Sequence, residues 1–143
     1  MASGVVLMMA VLGGATLFGL WRIRMDGRAR VVDLGVITAR DLGWPLPKGA
    51  TLLQFSSAHC QPCRKTRDLL STVSREILHV THIEIDAAEY LDLTRQLGIL
   101  RTPTTLVLDS GGAIRARVSG QPRMGEIVAV LATLTRDPSL VAS

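Results

Sequence analysis

Aromatic side chains are scarce in this 143-residue chain: one Tyr, two Phe and two Trp make up 3% of it. So few rings cannot build a base-stacking platform, which argues against nucleic acid as a partner despite a formal net charge of +4. Cysteine is scarcer still, at two residues. That count excludes a disulfide-stapled scaffold and a four-cysteine metal site. The sequence shows no internal repeat, no low-complexity tract, no glycine loop of the phosphate-cradling kind and no paired-carboxylate constellation. Glu84 and Asp86 alternate on a strand-like run and read as a solvated pair rather than acid–base catalysts.

The charge is unevenly placed. Of sixteen basic and twelve acidic residues, the first thirty positions hold four and one, leaving twelve and eleven for the rest. The excess is therefore a local cluster, Arg22, Arg24, Arg28 and Arg30, directly after an uncharged run over residues 4–21. Eighteen such residues reach about 27 Å as a helix, close to the thickness of a hydrocarbon core. The run reads as a single membrane-spanning anchor with Trp21 at the interface; a cleaved signal peptide is the competing reading, disfavoured by the lack of a basic segment ahead of it. The positive-inside rule places the arginines, and the domain after them, on the cytoplasmic side of a plasma membrane. A dithiol can work on either side of a membrane, and an even pair of cysteines fits both.

Cys60-Gln61-Pro62-Cys63 holds both cysteines. Residues 50–56 read as a buried strand, and residues 62–78 as a helix with Leu69, Leu70, Val73 and Ile77 three to four apart. Cys60 thus falls at a strand-to-helix junction, where unpaired N–H groups and the positive end of the helix dipole favour thiolate. Pro62 suits a first helical turn. Cys63 lies one turn on, within reach of a mixed disulfide on Cys60. Two other readings compete. A structural disulfide would close too small a loop to restrain the unfolded chain much. A zinc site would use the C-x2-C-x15-H-x2-H string of Cys60, Cys63, His79 and His82, but its histidine gap is shorter than usual.

Downstream come a strand over 80–85, a helix over 88–97, strands over 105–108 and 114–118, and a last amphipathic helix carrying Met124, Ile127, Val128, Leu131 and Leu134. With Phe55 five residues before the dithiol, Thr102-Pro103-Thr104, and Gly120 beyond the last hairpin, the chain resembles the thioredoxin family over residues 50–135. The resemblance implies an α/β thioredoxin fold, a central mixed sheet flanked by helices, here preceded by one transmembrane helix. It further implies that Thr102 and a cis-Pro103 contact an extended substrate segment beside Gln61 and Pro62. Catalysis would rest on Cys60 as nucleophile and Cys63 as resolving thiol, with a disulfide-bearing protein as substrate. An external reductase or membrane electron carrier would restore the dithiol, and no metal or bound cofactor is implied.

The departures from the family pattern concern tuning. The buried aspartate six residues before the first cysteine is Gln54, its companion lysine is His82, and the preceding tryptophan is His59. Gln54 cannot take a proton, and His82 is the candidate substitute base. Direction is open as well: the same dithiol serves a reductase, an oxidase or an isomerase according to what recharges it, and a redox-inactive or metal-handling module on this fold is the reading from another class. The expected organisation is an anchor at 1–21, a connector at 22–49 with an edge-strand candidate at 31–37, a thioredoxin-like domain at 50–136 and a tail at 137–143.

Overall fold

In the computed structural model, which describes residues 2–25, 28–31 and 34–136, a twisted five-stranded sheet carries helices on both faces. Helix α1 (Ala2–Met25) leads to strand β1 (Ala29–Val31), short helix α2 (Ala39–Leu42), β2 (Ala50–Ser56), α3 (Gln61–Glu76) and β3 (Val80–Asp86). Helix α4 (Leu91–Gln96), β4 (Thr104–Leu108), β5 (Ile114–Ser119) and α5 (Met124–Arg136) complete the chain. The strand order is β1-β5-β4-β2-β3, with β2 and β3 parallel across the α3 crossover and the other pairs antiparallel.

Strand β2 is the centre of the sheet because its residues are apolar on both faces. Leu52 packs on one side with Leu70 and Val73 of α3 and with Ile127 and Leu131 of α5. Leu53 and Phe55 point to the other side, among Leu42, Ile85, Leu93 and Leu106. All but one of its seven residues are buried, which requires helices on both faces. Gly49 enters this strand at φ +95, and a Cβ there would lie 2.2 Å from the carbonyl oxygen of His79. That carbonyl accepts the Ala50 N–H at 2.8 Å, so only glycine lets β2 start flush against the turn before β3.

Three elements differ from the sequence expectation. The edge strand lies at Ala29–Val31, antiparallel to β5, whereas the 31–37 stretch contributes beyond Val31 only a Val36–Ala113 bridge among the described residues. Helix α4 starts at Leu91 rather than at 88, because Asp86 Oδ1 accepts the Ala88 N–H at 2.8 Å and holds the chain in a turn. Helix α2 was not anticipated; the Thr38 N–H donates to Asp41 Oδ2 at 2.7 Å and Gly43 ends the helix at φ 84. The tail expected at 137–143 lies outside the described residues. Within α1, Gly4–Arg22 is long and apolar enough to cross a membrane and none of it is buried, properties that a signal sequence shares.

Candidate functional site

The two cysteines meet where β2 ends and α3 begins, and they form a disulfide with their Cα atoms 5.2 Å apart. Cys60 is the N-cap of α3, and its Sγ accepts the backbone N–H of Cys63 at 3.1 Å. The sulfur therefore occupies the place that a serine or aspartate oxygen takes in an ordinary helix cap. Pro62 fits in the first turn, where no intrahelical N–H is needed. Exposure divides the pair: Cys60 is partly exposed and Cys63 is 1% exposed. His59, Gln61 and Pro62 are exposed around Cys60.

The Thr102–Pro103 peptide bond is cis, and Pro103 is buried with its carbonyl accepting the Gly120 N–H at 2.8 Å. Thr102 Oγ1 lies 3.0 Å from Ser57 Oγ, tying this loop to the one that leads into Cys60. Pro62, Thr102 and Pro103 line one cleft. Cys60 and Cys63 line another, of about 260 Å³, with Ser57, Arg64, Arg67 and Glu84.

Beneath Cys63 lies a partly buried polar network whose connections the sequence did not reveal. Gln54, fully buried, donates from Nε2 to the Cys63 carbonyl at 3.0 Å. Its Oε1 therefore faces His82 Nε2, 3.1 Å away, and must accept from it. This fixes the imidazole tautomer: the proton sits on Nε2, and the basic Nδ1 faces Ser71 Oγ at 3.4 Å, on the far side from the cysteines. Glu84, read from the sequence as half of a solvated pair with Asp86, is instead ion-paired to Arg67, whose Nη2 donates to Oε1 at 2.9 Å. The reason is position. In the parallel register Glu84 sits opposite Gln54, on the face of β3 that α3 covers, and α3 brings Arg67 over it.

These contacts move two titrations. Burial is the largest influence on His82 and lowers its pKa below 6.5; the charge of Glu84 pushes it up and that of Arg67 pushes it down. Burial would raise the Glu84 pKa, but hydrogen bonds from Arg67 and Ser56 and the Arg67 and His82 charges outweigh it and hold it low. Both shifts favour the same sign of pH dependence. Unfolded His82 takes up a proton as pH falls through 6.5 while the folded chain resists, so the stability present above that pH is lost on acidification. Glu84 adds a further loss below its unfolded value of 4.5. The urea midpoint is therefore expected to fall between about pH 7.5 and about pH 5.5, and His82→Gln to flatten that fall; a midpoint level over this range refutes the account.

The family model for thioredoxin matches residues 45–133. The chain belongs to the thioredoxin family. Solved thioredoxins share its fold: chloroplastic thioredoxin z at 21% identity, covering 76% of this chain and 99% of that one with a TM-score of 0.60; and the Trypanosoma brucei brucei thioredoxin at 19%, covering 76% and 93% with a TM-score of 0.58. The Nicotiana alata thioredoxin NaTrxh is similar at 23% identity over 60% of this chain and 73% of that one, TM-score 0.52. Comparison with curated proteins returns no match. In this thioredoxin-family domain the cysteine pair supports thiol–disulfide oxidoreductase chemistry in general, on disulfide-bearing protein substrates.

Proposed function

We propose that this protein is a membrane-anchored protein-disulfide reductase. The Cys60 thiolate attacks a substrate disulfide, forming a mixed disulfide and releasing one substrate thiolate, which takes a proton. Cys63 then loses its proton, attacks the Cys60 sulfur and releases the second substrate thiolate, leaving the Cys60–Cys63 disulfide; two electrons have moved to the substrate. An external dithiol reductase or a membrane electron carrier returns them. The observation that carries this reading is the asymmetry of the pair. The sulfur that accepts a helix N-terminal N–H is the accessible one, and its partner is buried behind it.

Direction follows from how strongly the reduced state is held. A dithiol whose thiolate is heavily stabilised becomes an oxidant, because its reduced form is the favoured one. Here one backbone N–H, that of Cys63, is donated to Cys60 Sγ. The expected reduction potential is thus near the reducing end of the family, about −270 mV, and a value near about −120 mV would make the protein an oxidase. Equilibration with glutathione or dithiothreitol redox buffers reads it directly.

Thr102 and Pro103, with Gln61 and Pro62, form the substrate-binding face in this proposal, and His59 tunes partner choice beside Cys60. Gln54 and His82 act as a neutral, mutually hydrogen-bonded pair that positions Cys63 without supplying a base. Resolution by Cys63 then follows its thiolate fraction, rising about ten-fold per pH unit below the thiol pKa. Stopped-flow reduction of a disulfide substrate between about pH 6 and 9 is expected to show this slope, and Gln54→Asp to flatten it. Superimposable profiles would sink the assignment. For location, residues 4–21 are the single-pass anchor in the plasma membrane, with Arg22, Arg24, Arg28 and Arg30 retaining the domain on the cytoplasmic side.

A further inference from the structure

Arginines crowd one edge of the sheet, on the side where α1 joins the domain. In the antiparallel register of β1 and β5, Arg30 lies directly opposite Arg117. Residues so paired point to the same face with their Cβ atoms about 5 Å apart, and like charges there repel. The Arg117 guanidinium is fixed, donating from Nη1 to the Leu97 carbonyl and from Nη2 to the Gly98 carbonyl, each at 2.8 Å. Both acceptors are neutral, and a guanidinium has further N–H groups to offer an anion. Arg117 also lines a hollow of about 500 Å³ with Arg22, Leu100, Arg101 and Ser119, a lining without an acidic residue. Arg101 has an interaction of its own within the chain, which leaves Arg22, Arg30 and Arg117 as the charges of this edge. Leu100 is the second observation. It is 95% exposed, more than any other large apolar side chain among the described residues, although its neighbour Ile99 is buried.

We infer that this edge of the domain lies on the membrane surface, with Arg22, Arg30 and Arg117 on the phosphates of anionic phospholipids and Leu100 at the hydrocarbon boundary. This rests on the proposed anchoring of α1 and adds to it a lipid class and a docked face. Arg22 sets the height. It follows Trp21 at the end of the apolar run, the level at which a spanning helix passes from hydrocarbon to headgroups. A side chain that shares a hollow with Arg22 is therefore at headgroup depth. Charge complementarity selects the lipid, because a surface bearing phosphatidylserine attracts each nearby arginine while phosphatidylcholine is neutral overall. An exposed leucine beside cations matches the layering of that surface, charged outside and apolar within. The consequence for the chemistry is orientation. Leu100 stands two residues before Thr102, and the cleft lined by Pro62, Thr102 and Pro103 shares Arg101 with the hollow. Docking thus turns the substrate cleft toward the bilayer.

The test is photocrosslinking with the full chain in nanodiscs of phosphatidylcholine, with or without about 30% phosphatidylserine. The photoreactive side chain enters as Leu100→p-benzoylphenylalanine. A matching probe replaces Leu78, which is 85% exposed just past the end of α3, away from the dithiol. After irradiation, mass spectrometry is expected to find phospholipid adducts at position 100 and not at position 78, with a yield roughly five-fold higher in the phosphatidylserine discs. Arg30→Gln is expected to lower that yield by a similar factor, roughly five-fold, and NaCl at about 500 mM to remove most of the phosphatidylserine advantage. In a chain that co-purifies with the discs, equal yields at the two positions, or equal yields in the two kinds of disc, overturn the docked face and leave the anchor standing. A chain that separates from the discs overturns both. Adducts to a second copy of the chain in place of lipid assign Leu100 to self-association, and overturn the docked face as well.

Discussion

Cys60→Ser is expected to bring disulfide reduction down to the uncatalysed rate, whereas Cys63→Ser stops the reaction one step later, at a covalent complex. The difference follows from exposure and capping. Cys60 is the sulfur that a substrate can approach, and it accepts the Cys63 N–H at the head of α3. Cys63 is 1% exposed and meets a foreign disulfide only through Cys60. With serine at 63 the mixed disulfide has no resolving thiol, and its half-life passes from that of an intermediate to that of an ordinary disulfide. Non-reducing electrophoresis and mass spectrometry after mixing with a disulfide substrate read the result. A stable adduct with Cys63→Ser and none with Cys60→Ser supports the assignment; trapping by both variants alike, or continued turnover by Cys63→Ser, refutes it.

Phe55→Ala is expected to give the largest loss of stability of any single core truncation, about 3 to 5 kcal/mol. Phe55 is fully buried on the central strand, in a cluster with Leu53, Ile85, Leu93 and Leu106, and among the described residues it is the only aromatic whose side chain is fully buried. Its ring lies on the face of the sheet opposite Gln54, so truncation opens a cavity in the layer under α2 and α4 and leaves the network below Cys63 in place. For a domain stabilised by roughly 5 to 15 kcal/mol the change is a large share of the total. The urea midpoint should drop by about 2 M with an unchanged slope. A drop below about 0.5 M would mean that the cavity collapses at little cost, against the close packing inferred for β2.

The parts of this molecule that could be read from the sequence are those governed by local pattern. Strand β2 could be bounded because an apolar run ends at a polar turn, and α3 because Pro62 opens it and Leu70 and Val73 recur at helical spacing. The dithiol was legible for the same reason, since four consecutive residues carry it. What escaped depends on register. Glu84 lies thirty residues from Gln54 in sequence, and nothing in a linear pattern says that the two sit side by side on parallel strands beneath Cys63. Arg67 meets its partner Glu84 only once β3 is laid under α3. The contact of Ser57 with Thr102 likewise joins two loops that only the fold brings together. Helix α4 was overextended because helical spacing continues through Ala88 while the Asp86 side chain stops the backbone from following it.

The position of β1 has a consequence for how far this domain can travel. A stretch over 22–49 with no structure of its own would be a leash of some 90 Å when extended. The pairing of Ala29 with Val118 ends that leash almost where it begins, because α1 runs to Met25 and the chain from there to Ala29 covers at most about 14 Å. Under the proposed anchoring, which puts α1 in a bilayer, a domain of roughly 30 to 40 Å across would be moored at its own edge strand and would not swing out into bulk solvent. Its clients would then be sorted by altitude: a disulfide displayed more than about one domain's height above the lipid surface would be out of range, whatever its sequence.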